Sequence, residues 1–402
     1  MFIIKKILRT LFKAVASLIY LILATVMITS ITIIYDFDKP TPFAGKDIFN
    51  PYRNFNRTTN WKKANFHVHT RVEGIFNECE FWPGEVYDFH KKFGYDIVTF
   101  SNHNELTPHP FDSTLQVNVY EHGYNLFKFH KLIFGSEKVN RFDHLLPLFP
   151  SQQQFQLDLL HKGCDIIQLN HPLRTTGTNR RQMQKLSGYE IIELDCGKST
   201  ENEYWDWALS AGHYSFGLAN DDLHYPDRTS KFARRCNFIQ TPSERYEDLK
   251  EALADGCYYS MRIPDYGNGD WAIKREKNLE LPHIKEIGLA DSSTIYVAFS
   301  QMADSIKFFG QDHSTLAFFQ DYMHAIYTMR AEDHYARITA YFPNGEVIYT
   351  NPFARYDATK SDTPFVISPH KANIPLTIIF NATLLLLLII LSVTYYKYII
   401  KR

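Results

Sequence analysis

Residues 64–69 read Ala-Asn-Phe-His-Val-His, an apolar run that ends in two histidines, His67 and His69. In a β-strand, side chains two positions apart point to the same side, so both imidazoles can face one point. Other strand-like runs that end in histidine or an acidic residue cover residues 95–103, 117–121, 165–171 and 214–224. Parallel α/β barrels gather the carboxyl ends of their strands at one mouth. The pattern therefore predicts one metal site at such a mouth.

Seven side chains at or near the ends of these runs are predicted metal ligands: His67, His69, His103, Glu121, His171, Asp222 and His224. His130, in a different strand-like run, is the eighth predicted ligand, with a core histidine as the alternative. Imidazole nitrogens combined with carboxylates suit divalent zinc, manganese or iron. Glu121 is the candidate for a carboxylate that bridges two ions. Two such ions can share a hydroxide that is nucleophilic at neutral pH, so we expect a two-metal centre that catalyses hydrolysis.

Two arginines lie in loops beside the predicted ligands. Arg174 and Arg228 each follow a ligand by no more than four residues. A guanidinium there can clamp an anionic substrate through two hydrogen bonds, although an ordinary loop charge is the alternative. Together with Glu121, these arginines are the predicted catalytic residues. Asp221, directly before a predicted ligand, is expected to orient a ligand without binding the metal.

The composition is that of a folded protein with an α/β core. The chain has 402 residues, of which 45% are hydrophobic, and 43 Lys and Arg balance 44 Asp and Glu. No long basic run is interleaved with aromatic residues, so nucleic acid is not an expected partner. The five cysteines show no CxxC spacing, so neither a zinc knuckle nor a disulfide scaffold is indicated.

Two uncharged apolar stretches, residues 14–35 and 374–396, are long enough to cross a hydrocarbon core of about 30 Å at about 1.5 Å per residue. Basic side chains lie on the terminal side of each stretch, at Lys5, Lys6, Arg9, Lys13, Lys397, Lys401 and Arg402. Since such flanks stay in the cytoplasm, we expect two transmembrane helices, with residues from about 36 to 373 on the extracytoplasmic side. A cleaved signal peptide for the first stretch and a buried core helix for the second are the alternatives.

Between the two predicted membrane helices, the chain divides into a linker, a barrel and a β-rich domain. Residues 1–36 and 374–402 hold the predicted membrane helices, residues 37–61 a linker, residues 62–263 the barrel, and residues 264–373 a small β-rich domain. Helices are predicted at residues 83–93, 151–162, 201–211 and 243–254, alternating with strand-like runs, as in α/β proteins. In the β-rich part, strands are predicted at residues 294–300, 336–342 and 347–350.

Five of these motifs, in order, resemble those of a known family. Residues 65–70 (Asn-Phe-His-Val-His-Thr) are similar to its Asp-x-His-x-His-Thr motif, and residues 95–104 to its second motif, with His103 as a ligand. Glu121 and His130 have the spacing of its bridging glutamate and next histidine. Residues 169–172 resemble its Ala-His-Pro motif, and residues 222–224 its closing Asp-x-His. The chain thus resembles the PHP (polymerase and histidinol phosphatase) superfamily of metal-dependent phosphoesterases, in its carbaryl-hydrolase-like branch.

This resemblance covers residues 62–261 and extends to the β-rich part. It implies a distorted seven-stranded (β/α) barrel, a centre of two or three metals and hydrolysis of phosphoesters. Two positions depart from the family pattern. Asn102 stands where an aspartate is usual, and the acidic residue expected five positions after His69 falls on Gly74, with Glu73 one place early. A two-metal site is therefore the expectation.

The sequence thus predicts a membrane-anchored hydrolase whose barrel faces the extracytoplasmic side. A metal-bridging hydroxide would attack the phosphorus of a small-molecule or surface-polymer substrate, with Arg174 or Arg228 assisting the leaving anion. Two alternatives stay open. The same site can cleave an ester, an amide or a carbamate, or the barrel can serve as a non-catalytic scaffold that binds sugars or other surface ligands.

Overall fold

The computed structural model describes residues 2–74, 77–175, 179–195, 202–365 and 370–401. The α-helices in this part of the chain are α1 (Phe2–Thr29), α2 (Pro83–Lys92), α3 (Pro150–His161), α4 (Arg180–Met183), α5 (Glu203–Ser210), α6 (Tyr246–Asp255), α7 (Trp271–Leu279) and α8 (Ile374–Tyr395). The strands are β1 (Tyr35–Asp36), β2 (Asp47–Phe49), β3 (Lys62–Asn65), β4 (Ile97–Val98), β5 (Val119–His122), β6 (Lys131–Phe134), β7 (Ile166–Leu169), β8 (Ile191–Glu193), β9 (Phe216–Leu218), β10 (Arg235–Ile239), β11 (Tyr258–Arg262), β12 (Ile284–Leu289), β13 (Thr294–Gly310), β14 (Ser314–Thr328), β15 (Tyr335–Tyr341), β16 (Val347–Thr350), β17 (Phe353–Tyr356) and β18 (Lys371–Ala372).

The four predicted helices correspond to α2, α3, α5 and α6, although residue 201 of the third prediction lies outside the described residues. Pro83 and Pro150 occupy the first position of α2 and α3, where a missing N–H group breaks no helical hydrogen bond. α6 begins at Tyr246, three residues later than predicted. The cause is a turn in which the Ser243 hydroxyl accepts a hydrogen bond from the Arg245 N–H at 3.1 Å.

Two sheets form the centre of the molecule, which confirms the α/β class. An eleven-stranded sheet contains the order β12-β13-β15-β16-β11-β10-β3-β4, and a five-stranded sheet has the order β5-β6-β7-β8-β9. β3 and β4 are parallel, as are β7, β8 and β9, whereas β6 is antiparallel to both of its neighbours. The loop between β5 and β6 has too few residues for a parallel crossover, so these two strands form a hairpin.

Isolated bridges connect the two sheets on both sides. His103 pairs in parallel with Glu121, which joins the extension of β4 to β5. Val68 pairs in parallel with Leu223, which joins the extension of β9 to that of β3. Strand pairing therefore continues from β3 to β4, across the His103 bridge to β5, and through β6, β7 and β8 to β9. The Val68 bridge then leads from β9 back to β3. The segments that follow β3, β4, β5, β7 and β9, which carry most of the predicted ligands, meet at one end of this arrangement.

The predicted β-rich part is continuous with the eleven-stranded sheet. β16 pairs with β11 along four residues, and β13 and β14 form a long hairpin beside β12 and β15. β2, within the predicted linker, pairs with β17. The domain boundaries themselves stay a prediction. The predicted strands at residues 294–300, 336–342 and 347–350 correspond to part of β13, to β15 and to β16.

The terminal helices pack against each other in antiparallel orientation. The hydroxyls of Ser17 and Tyr395 lie 2.7 Å apart, those of Tyr20 and Ser392 lie 3.1 Å apart, and the rings of Tyr20 and Tyr395 stack at 4.2 Å. Both helices are long and apolar enough to cross a membrane, with mean hydropathies of 2.2 and 2.6. Their antiparallel contact places both ends of the described chain at the same end of the helix pair.

The first apolar helix lies closer to the N-terminus than residues 14–35, so the predicted bounds are wrong. α1 begins at Phe2 and ends at Thr29. The next residues, Ile-Thr-Ile-Ile at 31–34, are β-branched and favour extended backbone. Their amides bond to the first turns of α8, from Thr32 to Asn381 Oδ1 at 3.2 Å and from Ile34 to Thr377 Oγ1 at 2.9 Å. These bonds replace a further helical turn.

Candidate metal centre

Glu121 is the central acidic residue of the site. It lies in β5 with 1% of its surface exposed. Its Oε2 atom lies 3.1 Å from His67 Nε2, 3.2 Å from His69 Nε2 and 3.1 Å from His103 Nε2. The extensions of β3 and β4 thus bring three imidazoles to one carboxylate oxygen.

The second oxygen of Glu121 faces another group of side chains. Glu121 Oε1 lies 3.1 Å from His130 Nδ1 and 3.1 Å from His171 Nε2, and it accepts a hydrogen bond from Asn170 Nδ2 at 2.9 Å. Because its two oxygens serve different groups, Glu121 has the position of a bridging ligand. This is the arrangement expected of it from the sequence.

Asp222 adds a second carboxylate on the side of His67 and His69. Its Oδ1 atom lies 3.2 Å from His67 Nε2 and 3.3 Å from His69 Nε2. The ring of His224 lies 4.2 Å from that of His69, and its Nδ1 atom donates to the Asp222 carbonyl oxygen at 2.9 Å. All eight predicted ligands therefore lie in one cluster.

Glu78 belongs to the same cluster and was not predicted. Its Oε2 atom lies 3.4 Å from both His69 Nδ1 and His103 Nε2, and 3.9 Å from His224 Nε2. It lies nine residues after His69, whereas the family pattern places an acidic residue five positions after it. Glu78 is in an irregular loop, so no strand or helix period marks it in the sequence.

The donor atoms fit divalent cations. Within the described residues, three sets have one ligand atom each within 4.8 Å of the others: His67, His69, Glu121 and Asp222; His69, Glu78 and His103; and His103, Glu121 and His130. His67 Nε2 and both ring nitrogens of His69 are buried and make no hydrogen bond. Buried polar atoms need partners, and convergent imidazole and carboxylate atoms are the partners that such metals provide.

Glu193 orients two of the histidines. This buried residue of β8 lies 2.8 Å from His67 Nδ1 through Oε1 and accepts a hydrogen bond from the His171 backbone N–H at 2.7 Å through Oε2. A proton on His67 Nδ1 leaves the lone pair of Nε2 facing Glu121 and Asp222. The sequence did offer a signal, because an ionisable side chain in the apolar strand Ile-Ile-Glu requires a partner.

The predicted orienting role of Asp221 is wrong. Asp221 Oδ1 accepts from the backbone N–H groups of Arg234 and Arg235 at 2.9 and 2.8 Å, and Oδ2 accepts from Asn65 Nδ2 at 3.2 Å. These bonds attach the end of β9 to β10 and β3. None of these three partners is a candidate ligand, so the Asp221 side chain ties strand ends together.

Asn102 also has a structural role. Its Nδ2 atom donates to the hydroxyls of Thr70 and Thr107 at 2.8 and 2.7 Å, and its Oδ1 accepts from the Thr70 N–H at 2.8 Å. The side chain therefore holds the loop after β3 against the loop after β4. An aspartate would lack the two donors that these hydroxyls use.

Two of the candidate ligands have backbone conformations that are uncommon for residues other than glycine. The φ angle is 29° at His171 and 48° at Asp222. Such conformations cost on the order of 1–3 kcal/mol each and persist where the surroundings determine them. In both cases the chain turns sharply at the end of a strand, which aims the side chain at Glu121 or at His67.

The electrostatic field of the site favours cations. Burial opposes a charge on His67, but Glu121 and Glu193 outweigh it and raise the pKa of His67 to about 10. Burial lowers the pKa of His130 to about 4 and that of His224 to about 3, so both rings are neutral at physiological pH. Neutral imidazole is the form that binds metals, and the proton on His67 occupies a position that a metal can take.

A cavity of about 320 Å³ opens beside the cluster, lined on one side by His171 and Asp222. Four cationic residues also line it: Arg174, Lys231, Arg234 and Arg235. Arg174 forms an ion pair with Asp222 Oδ2. Arg228 lies further out, its guanidinium carbon 4.1 Å from the centroid of the Tyr225 ring, which also lines the cavity. The catalytic roles of both arginines stay predictions.

No model of a protein family matches the sequence, and neither does any of the curated proteins compared with it. Among solved structures, the chain is similar to a two-domain protein from Bacteroides vulgatus that contains a predicted PHP-like metal-dependent phosphoesterase, with 14% identity, a TM-score of 0.38 and coverage of 79% of this chain and 100% of that chain. It is also similar to the lesion-specific endonuclease PfuEndoQ from Pyrococcus furiosus, with 12% identity, a TM-score of 0.32 and coverage of 48% of this chain and 56% of that chain. Neither similarity is strong enough to define the fold or the function of this chain.

Proposed function

We propose that the chain is a membrane-anchored, metal-dependent hydrolase of phosphoesters, a member of the PHP superfamily in its carbaryl-hydrolase-like branch. One observation carries this proposal. Five imidazoles converge on the two oxygens of a single buried glutamate, Glu121, and further carboxylates flank them. A protein without bound cations has no evident use for so many buried ring nitrogens gathered around carboxylates.

Bound divalent cations would supply positive charge and an acidified water molecule, the two requirements of phosphoester hydrolysis at neutral pH. The three ligand sets support two ions or three, with Glu121 shared between two sets and Glu78 completing the set of His69 and His103. Glu193 keeps the Nε2 lone pair of His67 directed into the site. Manganese, zinc and iron all suit this mixture of ligands.

The cavity beside the cluster favours an anionic substrate. Arg174, Lys231, Arg234 and Arg235 provide four cations in its wall, against the three carboxylates of Glu193, Asp221 and Asp222. Arg174 is placed to exchange its contact with Asp222 for a phosphoryl oxygen. Arg228, whose guanidinium lies over the Tyr225 ring in the cavity wall, would assist the leaving anion. An ester, amide or carbamate substrate would have no need of this charge.

The fold and the location complete the proposal. The parallel bridges at His103 and at Val68 support a distorted seven-stranded barrel from β3 to β9, with its ligands at one mouth. The antiparallel pair of α1 and α8 supports two membrane spans with both termini on one side. Basic residues at both chain ends favour a cytoplasmic location for those ends and an extracytoplasmic site.

The test uses the full-length protein in detergent. Bound metal is measured before and after chelation, and hydrolysis of bis(p-nitrophenyl) phosphate, p-nitrophenyl phosphate and p-nitrophenyl acetate is assayed with added manganese or zinc. We expect metal-dependent cleavage of at least one phosphoester and loss of bound metal in the double variant His67→Ala/His69→Ala.

The matched control is His283→Ala, which removes an exposed histidine outside the cluster. It should retain the metal content and the activity of the unsubstituted protein. A folded protein that binds no manganese, zinc or iron would refute the metal centre. Cleavage of the acetate ester alone would refute the phosphoesterase assignment.

A further inference from the structure

Two loops near the site carry an apolar surface. The loop between β5 and β6 and the loop between β6 and α3 expose five large apolar side chains, which we call the apolar rim: Tyr124, Leu126, Phe142, Leu148 and Phe149. Their exposed fractions range from 36% for Phe142 to 67% for Leu126. The loops are joined, since the Leu126 N–H donates to the Leu145 carbonyl at 3.1 Å. The backbone hydrogen bond brings the exposed apolar residues of the two loops to one region of the surface.

The apolar rim lies against the ends of the two terminal helices. His144 forms a hydrogen bond with the carbonyl of Thr29, the last residue of α1, and the Leu145 N–H donates to the Thr29 hydroxyl at 3.4 Å. The rings of Phe149 and Phe380 lie 6.3 Å apart. Phe380 is six residues into α8, about 9 Å along the helix axis. The rim therefore lies level with the end of the apolar helix pair, where the interface of a bilayer would be.

The same loops lead directly to the metal centre. The residue after Glu121 is His122, whose Nε2 atom is hydrogen-bonded to the carbonyl of Phe142 in the rim at 2.9 Å. The first loop ends at His130, one of the candidate ligands. Adjacent residues are about 3.8 Å apart along the chain. Glu121 is therefore only a few residues along the chain from the surface that faces the helix ends.

Exposed cations accompany the apolar rim. Lys128 and Arg141 are exposed, and the Arg141 carbonyl accepts a hydrogen bond from the Tyr124 hydroxyl at 2.6 Å. The Thr175 hydroxyl donates to the Lys128 carbonyl at 2.8 Å, which ties this loop to the turn that follows His171. Aromatic and aliphatic side chains next to Lys and Arg are typical of segments that lie in the interface of a membrane.

We infer that the apolar rim inserts into the interface of the membrane and that the hydrolysed phosphoester belongs to a membrane-embedded lipid. The inference rests on the proposed function and narrows its substrate class. A lipid headgroup beside the helix pair would reach the cavity lined by His171 by passing over the joined loops of Lys128 and Thr175. Continuity of the rim with the ends of α1 and α8 distinguishes it from the exposed aromatic residues of the β13–β14 hairpin.

The first experiment locates the rim without measuring activity. Full-length Leu126→Trp and Leu148→Trp are reconstituted into phosphatidylcholine vesicles with brominated or unbrominated acyl chains, and the fluorescence of the unsubstituted protein is subtracted. The control is Tyr322→Trp on the hairpin, where the native side chain is 50% exposed. We expect bromine to quench at least half of the added fluorescence at the two rim positions and little at the control. Equal quenching at all three positions would overturn the membrane contact.

The second experiment tests the substrate. The double variant Leu126→Glu/Leu148→Glu should cleave phosphatidic acid or phosphatidylglycerol in vesicles about tenfold more slowly, because charges at the rim oppose its insertion. Its cleavage of soluble bis(p-nitrophenyl) phosphate should be unchanged, and Tyr322→Glu should behave as the unsubstituted protein. An equal loss on both kinds of substrate, or cleavage of soluble phosphoesters only, would overturn the lipid substrate.

The two experiments separate the inference from the function on which it rests. A metal-loaded protein that cleaves no phosphoester refutes the proposed function and the lipid substrate together, while the quenching still decides the position of the rim. Active protein without selective quenching refutes the rim and leaves the phosphoesterase standing.

Discussion

Replacing Glu193 by glutamine tests whether a residue that binds no metal controls the affinity of the site. The carboxylate serves two donors at once, the Nδ1–H of His67 at 2.8 Å and the backbone N–H of His171 at 2.7 Å. An amide of the same shape has one oxygen and one NH₂ group. It can accept from only one of the two donors and places its own donor against the other.

The magnitude follows from those bonds. A hydrogen bond to a charged group contributes about 1.5–3 kcal/mol, and about 1.4 kcal/mol corresponds to a tenfold change in an equilibrium constant. Loss of one such bond therefore predicts that Glu193→Gln binds metal about 10- to 100-fold more weakly, as is typical for partners of ligating histidines. The fold should persist, since Glu193 is one buried polar residue in an otherwise apolar strand.

The assay is competition between the protein and a fluorescent chelator for manganese or zinc at constant pH. Glu190→Gln is the matched control. It makes the same substitution three residues earlier, where the carboxylate accepts from the Ile167 N–H at 2.8 Å and faces away from the cluster. An unchanged affinity in Glu193→Gln, or an equal loss in Glu190→Gln, would refute the orienting role of Glu193.

Two further predictions concern pH and stability. Burial opposes protonation of His67, but Glu121 and Glu193 raise its pKa to about 10, above the unfolded value near 6.5. In metal-free protein, the protonated ring therefore stabilises the fold fully below about pH 6.5. This stabilisation is lost as pH rises through about 10. Urea unfolding of chelated protein should therefore show stability declining over that range, and a rise would contradict the reasoning. Arg337→Met should destabilise the protein by about 2–4 kcal/mol, because it leaves the buried Asp206 with only His313 and the Tyr335 hydroxyl as partners. Urea unfolding measures this loss, the double variant with Asp206→Asn should recover part of it, and a loss below about 1 kcal/mol would contradict the ion pair's role.

Much of the fold could be predicted from local pattern. Prolines mark the first positions of helices α2 and α3. A Pro-Asn-Gly turn precedes residues 347–350, which form β16. The antiparallel direction of β6 could not be read from its apolar residues, since it depends on the length of the preceding loop. The early end of α1 depends on partners in α8, which lie at the other end of the sequence.

The clustering of the eight candidate ligands was predictable for the same reason that the strands were. His67, His103 and His171 each end an apolar run, and the carboxyl ends of neighbouring strands meet. Glu78 could not be found, because its loop has no period and tertiary contacts alone bring it to His69. Glu193 was accessible in principle as an acidic residue in a buried strand, but no local pattern names its partner.

The contact between α1 and α8 has a consequence for biosynthesis. The hydrogen bond between Tyr20 and Ser392 spans 372 positions, so at about 5–20 residues per second the ribosome needs roughly 20–70 s to supply the second partner. The Ser17 hydroxyl contacts Tyr395 of α8 in the finished structure. Within α1 it also donates to the Lys13 carbonyl at 2.7 Å, so it has an acceptor before α8 is synthesised. The contact between α1 and α8 therefore forms only after the residues that separate them have been synthesised.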